Sequence, residues 1–201
     1  MNTEALGKTR RLTVVDRLGA WLSVRPIAAV VKRYDRAEVL DIGCGHAAHV
    51  LVALEDRIAR GVGIDESVSD AARVSPKLSF LEGSAEHHLA ALPDASFDVV
   101  MMISVLEHLW EPVVALKACH RLLRSGGSLV INVPNWAGKV VLETSAFKLG
   151  LSDPESIDDH KTYYGKRELW PLVVRAGFRA SKIRMHYHKL GLNLFAVAVK
   201  G

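Results

Sequence analysis

The stretch Val39-Leu40-Asp41-Ile42-Gly43-Cys44-Gly45 sets a carboxylate just ahead of a glycine turn. Gly43, Gly45 and Ala48 satisfy the G-x-G-x-x-G/A spacing, in which a strand feeds a tight turn that opens a helix. By spacing alone, such a turn suits a dinucleotide pyrophosphate. Asp41 opposes that assignment, because a carboxylate at the strand end repels anionic oxygens brought against the helix N-terminus. The chemistry these residues favour is capture of a ligand that carries a cation.

A second acid sharpens the reading. Asp65 ends the apolar run 62–64 and lies 20 residues beyond Gly45, the spacing of an acid that binds a ribose. Taken singly, Asp41 reads as a helix cap and Asp65 as a loop acid; both together at this spacing arise far less often by chance. S-adenosylmethionine (SAM) offers a partner to each group: an ammonium for Asp41, a carboxylate for the amides of Gly43, Cys44 and Gly45, and a ribose and adenine further along. Glu66 stands beside Asp65 on the same rim.

Five fragments in order, LDIGCGH, GID, FDVVMMISVLEHL, LLRSGGSLVINVPN and LVVRAGF, resemble the class I SAM-dependent methyltransferases over roughly residues 36–200. LEHL points to their small-molecule branch. The resemblance implies that Ser84 and Ala85 meet the adenine, with Ser84 where the family commonly has an acid, and that the backbone at Ile103 and Ser104 lies near the methionine part. It makes His108 the candidate general base, since an imidazole titrates near neutral pH; Glu107 is either structural or a substrate contact. His160, Tyr163, Tyr164, Asn135 and Trp136 fall in the segment that walls the family's substrate pocket, and His160 is a second candidate base.

Three departures from the family pattern have consequences. Its third glycine is Ala47 here, which is comfortable if helical and strained at positive φ. Some quinone-biosynthetic relatives have an acid three residues before the Glu, linked to a metal site; Ser104 stands there, so no metal is expected. Val133-Pro134-Asn135 replaces the N-P-P-Y signature, which argues against adenine-N6 and glutamine modification.

These residues need strands ending at one rim. Strand signals at 39–42, 61–64, 78–82 and 128–133, with the continuous apolar run 99–103, predict parallel strands, alternating with helices near 47–56, 68–74 and 112–123. Residues 12–34 have helical spacing broken near Pro26, which predicts two short helices serving as packing and lid. The pattern loosens over 135–165, a helix follows over 167–175, and 179–188 and 193–200 read as strands. The resemblance makes these a terminal pair with one strand antiparallel. The expected fold is α/β and Rossmann-like: a seven-stranded, mostly parallel sheet with helices on both faces. One domain, 1–201, divides into a cover (1–36), a SAM-binding core (37–134), a substrate-pocket insertion (135–165) and a C-terminal helix and strand pair (166–201).

With 201 residues, 49% apolar and 24% charged, the composition is that of a soluble globular domain rather than a disordered or fibrous chain. The N-terminus lacks a secretory pattern, and the cytoplasm is the expected location. Cys44 and Cys119 show no metal or disulfide spacing and read as packed thiols. Residues 1–36 hold eight basic and three acidic side chains, against 18 and 19 in the remainder. A basic front suits a weak membrane-surface contact or an acidic partner, but it lacks the arginine clusters and interleaved aromatics of an RNA binder. The leading expectation is methyl transfer, at oxygen, to a small or lipid- or glycan-linked acceptor. The alternatives are an RNA methyltransferase, a SAM-binding regulator without turnover, and, last, an NAD-dependent oxidoreductase.

Overall fold

The computed structural model describes residues 14–143 and 161–201. Seven strands form one sheet: β1 (Glu38–Ile42), β2 (Arg60–Asp65), β3 (Leu78–Glu82), β4 (Phe97–Ile103), β5 (Leu123–Pro134), β6 (Ile183–His188) and β7 (Asn193–Val199). Their order is β3-β2-β1-β4-β5-β7-β6. The pairings among β1 to β5 are parallel, and β7 runs antiparallel to both β5 and β6. The strand order reverses at β1, whose neighbours are β2 and β4. In open parallel sheets ligands bind beyond the carboxyl ends of the strands at such a switch point.

The apolar runs explain the centre of the sheet. Val99 to Met102 of β4 and Val39 to Ile42 of β1 are buried along both faces, as strands covered on two sides require. One face packs Leu40, Ile42, Val100, Met102, Leu129 and Ile131 under α3 (Ala85–Ala91), α4 (Pro112–Leu122) and α6 (Lys166–Arg175). The other packs Val39, Val99, Met101, Val130, Phe195 and Val197 under α1 (Val14–Val31) and α2 (His49–Leu54). Among the described residues no helix is long and apolar enough to cross a membrane.

Several local expectations need correction. Residues 14–31 form one helix, not two, and it runs through Pro26. Proline has no N–H to give the carbonyl four residues back, here that of Leu22. Tertiary structure supplies the missing donor, as Nε2 of His188 donates to the Leu22 oxygen at 3.1 Å. Residues 70–74 make only a 3-10 turn. Helix α3 was not foreseen, because its seven residues are too short to show a period. Helix α5 (Trp136–Glu143) opens the segment expected to be irregular. A 3-10 turn, Ala180–Lys182, delays β6 to Ile183.

Gly63 of β2 lies opposite both Asp41 of β1 and Phe80 of β3. A Cβ there would fall 2.6 Å from Phe80 Cδ1 and 2.8 Å from Cys44 Sγ. Gly63→Ala should therefore push the glycine turn off its strand and cost about 1–3 kcal/mol, read as a lowered melting temperature; an unchanged melt would contradict this packing.

Candidate active site

The turn after β1 is built from backbone that only certain residues tolerate. Gly43 and Gly45 have φ of +67° and +75°, and a side chain on Gly43 would collide with Val105 beyond β4. The amides of Gly43 and Cys44 donate to the Ile64 carbonyl at 2.8 and 3.1 Å. The Gly45 amide donates to Asp65 Oδ2 at 2.7 Å. Asp65 thus holds the turn with one oxygen, and a carboxylate has a second with which to accept hydroxyl donors. The strained residue of the turn is Ala48 rather than Ala47: it is buried, with φ of +44°, at the start of α2. A left-handed alanine costs roughly 1–2 kcal/mol.

Among the described residues, five buried side-chain polar atoms have no hydrogen-bond partner: Asp41 Oδ1, both carboxyl oxygens of Glu107, and both amide atoms of Asn132. Burying such groups unpaired is costly, and native folds keep few of them. All three residues lie at the carboxyl ends of adjacent strands: Asp41 in β1, Glu107 just past β4, Asn132 near the end of β5. Burial pushes the Asp41 carboxyl up to about 8, and the charge of Asp65 adds to the shift. Burial also pushes Glu107 up to about 8, against a lowering contribution from Lys189. The Lys189 ammonium is itself held below its ordinary value by burial, with Glu107 opposing.

Other expected site residues fall around the same rim. Glu66 is exposed beyond β2. Ser84 precedes α3 and makes no capping bond with its side chain, so its hydroxyl is not committed to the helix; Ala85 is the first helical residue. Ser104 is exposed with φ of +57°, and its amide donates to the Asn132 carbonyl at 2.8 Å. His108 is half-buried at the end of the 3-10 turn Leu106–His108. His160 lies outside the described residues. Cys44 is buried, and burial with the nearby acids Asp41 and Asp65 pushes its thiol up to about 12, which leaves it a packing group.

The wall beyond β5 is partly self-supporting. Asn135 donates from Nδ2 to the Gly191 carbonyl at 2.6 Å and accepts from the Gly138 amide at 2.8 Å, so its amide ties α5 to the β6–β7 turn. Trp136 is 54% exposed, and its ring lies 5.6 Å from the buried Tyr163 ring. Tyr164 is buried, its hydroxyl reaching the Leu106 carbonyl at 3.4 Å. The Lys161 and Thr162 amides both donate to the Glu107 carbonyl, at 2.7 and 3.3 Å, hanging this wall on the turn after β4. The sequence reading missed Asn132. Its signal was a single carboxamide inside the apolar run Leu129 to Val133.

Residues 40–131 match the family described as a methyltransferase domain. A Mycolicibacterium smegmatis protein, named a probable S-adenosylmethionine-dependent methyltransferase, is 30% identical over 77% of this chain and 57% of its own length. These matches place residues 40–131 in a class I SAM-dependent methyltransferase domain. SAM is accordingly its cofactor, and the orphaned Asp41 oxygen fits an ammonium. A ubiquinone biosynthesis O-methyltransferase of Vibrio atlanticus is 28% identical over 76% of this chain and 68% of its own length. The chain thus spans little more than half the length of the first relative and about two thirds of the second. The methyltransferase fold recurs, at a TM-score of 0.70 and 20% identity over 91% of both chains, in a structure of a complex with the Haloferax volcanii Trm112 methyltransferase activator. An Archaeoglobus fulgidus SAM-dependent methyltransferase superposes at 0.64, with 17% identity, over 94% of this chain and all of its own.

Asp41 keeps its proton to about pH 8 when folded, against an ordinary value of 3.8. Between those values the folded chain binds more protons than the unfolded one, so this group makes stability fall as pH rises. Without SAM, Asp41→Asn should melt above the wild type at pH 8, and it should bind SAM at least 100-fold more weakly by calorimetry. Wild-type affinity in the variant would remove the ammonium role.

Proposed function

We propose that this chain transfers the SAM methyl group to a hydroxyl of a small or lipid- or glycan-linked acceptor. The observation that carries this reading is the gathering of unpartnered buried polar groups at the carboxyl ends of β1, β4 and β5, where a ligand would satisfy them. Choice of oxygen rests on the likeness to relatives named ubiquinone biosynthesis O-methyltransferases and on a histidine at the rim.

SAM, when bound, supplies a methyl group made electrophilic by its sulfonium. Asp41 holds the ammonium, Asp65 with Glu66 meets the ribose, and Ser84 and Ala85 flank the adenine. The amides of Gly43, Cys44 and Gly45 are already engaged by the Ile64 carbonyl and by Asp65, so, contrary to the expectation from sequence, they do not take the carboxylate; Ser104 lies beside the methionine portion. Alignment of nucleophile, methyl carbon and sulfur, with water excluded, is the enzyme's main contribution. Trp136, Tyr163 and Tyr164 wall the acceptor side, while Asn135 fixes that wall. His108 would take the hydroxyl proton as the O–C bond forms and the methyl–sulfur bond breaks with its electron pair left on sulfur, and His160 is the second candidate for that role. The basic residues of the first 36 suit a weak contact with a membrane surface, and a cytoplasmic location belongs to the same reading.

Incubation with methyl-labelled SAM and a metabolite extract, followed by identification of the labelled product, tests the reading directly. Label should enter an O-methylated small molecule or lipid. Label in RNA that is lost as salt rises would favour the RNA reading instead. His108→Ala should lower turnover about 10²- to 10⁴-fold while SAM affinity stays at the wild-type value. Turnover within threefold of the wild type would exclude His108 as the base.

A further inference from the structure

Asn132 is fully buried on β5 with neither end of its amide bonded. Register shows which way it points. Strand β5 alternates, with Leu129, Ile131 and Val133 in the core under α4 and α6, and Val130 in the core under α1 and α2. Asn132 shares the face of Val130. Asp41 shares that face too, since Val39 lies in the same core while Leu40 and Ile42 lie in the other. Between the two stands β4, whose Met101 pairs with Asp41 and whose half-buried Ile103 pairs with Asn132. The carboxylate and the amide therefore look into the same side of the sheet from either edge of the central strand.

The surroundings of Asn132 on that side are apolar or already engaged. Its antiparallel neighbour is Phe195. The Phe195 ring meets the rings of His186 at 5.2 Å and His188 at 5.9 Å, and His188 is bonded to Leu22 of α1. Helix α1 thus passes close to this position, next to the one place where its own hydrogen-bond ladder is broken by Pro26. A carboxamide has two N–H donors and a carbonyl acceptor, and an unmade bond to any buried one destabilises the fold. A hydroxyl answers both needs at once, donating to Oδ1 and accepting from Nδ2. A charged group would lose its water for a neutral partner and gain much less.

We propose that Asn132 binds a hydroxyl of the methyl acceptor and so selects an uncharged, hydroxyl-bearing substrate. This rests on the methyltransferase reading and adds a specificity residue to it. The test is Asn132→Leu, which has nearly the same volume and no polar atoms. The variant should melt at a higher temperature than the wild type without ligand and bind SAM within twofold of it. It should label the wild-type product from SAM and extract at least tenfold more slowly, with KM for that acceptor raised.

A lower melting temperature would overturn the inference, since it would show that the amide is partnered in the folded chain. Undiminished labelling would overturn it as well. A tenfold loss of SAM affinity in the variant would move Asn132 to the cofactor side and exclude an acceptor role. Failure of the wild type itself to bind SAM would remove the methyltransferase reading and this inference with it.

Discussion

A carboxylate buried in the middle of a parallel sheet is the constraint on which this structure turns. Strand β1 is paired on both sides and covered on both faces, so Asp41 is 1% exposed. Such a group persists only if it keeps its proton or meets a cation. The turn that follows is shaped around it. Gly43 passes too close to Val105 for any side chain, and Gly45 gives its amide to Asp65. These contacts join β1, β2 and the segment after β4 at the point where the strand order reverses. The rim is therefore tied by hydrogen bonds and close packing on its β1–β2 side.

The side of the rim proposed for the acceptor is held differently. It hangs on loops that borrow hydrogen bonds from one another: α5 on the β6–β7 turn through Asn135, residues 161 and 162 on the Glu107 carbonyl, and α1 on β6 through Leu22 and His188. The β6–β7 turn carries Lys189, Leu190 and Gly191 in succession at positive φ. Two of the three are not glycine, and each left-handed residue of that kind costs stability that surrounding contacts must offset. That turn places the Lys189 ammonium near the Glu107 carboxyl and the Gly191 carbonyl against Asn135. Strained and unpartnered groups thus stand on both sides of the rim: Ala48 and Asp41 at the glycine turn, and the β6–β7 turn with Glu107 on the side where the substrate is proposed to lie.

Much of this was legible beforehand because it depends on near neighbours in the chain. Strand signals marked β1 and β3, and a continuous apolar run marked β4, almost to the residue, and glycines with an acid on either side marked the cofactor turn. Legibility failed where distant residues decide. Pro26 read as a break because the donor that rescues Leu22 comes from His188, 166 positions away. The place of Asn135 and Tyr164 in the sequence gives no sign of their hydrogen bonds to the Gly191 and Leu106 carbonyls, 56 and 58 positions away. Asn132 stood as one polar residue in a strand, without any hint that it shares a face with Asp41.

The sequence by itself determined the α/β class of fold, since strand and helix signals act over a few residues, and the turn glycines with Asp41 favoured a cationic cofactor; the family followed from the resemblance of its ordered fragments to known methyltransferases. Tertiary structure alone decided which polar groups are left without partners and where α1 lies. Burial and hydrogen-bond satisfaction are properties of the packed sheet: whether an amide or a carboxyl is an orphan depends on every strand and helix that closes over it.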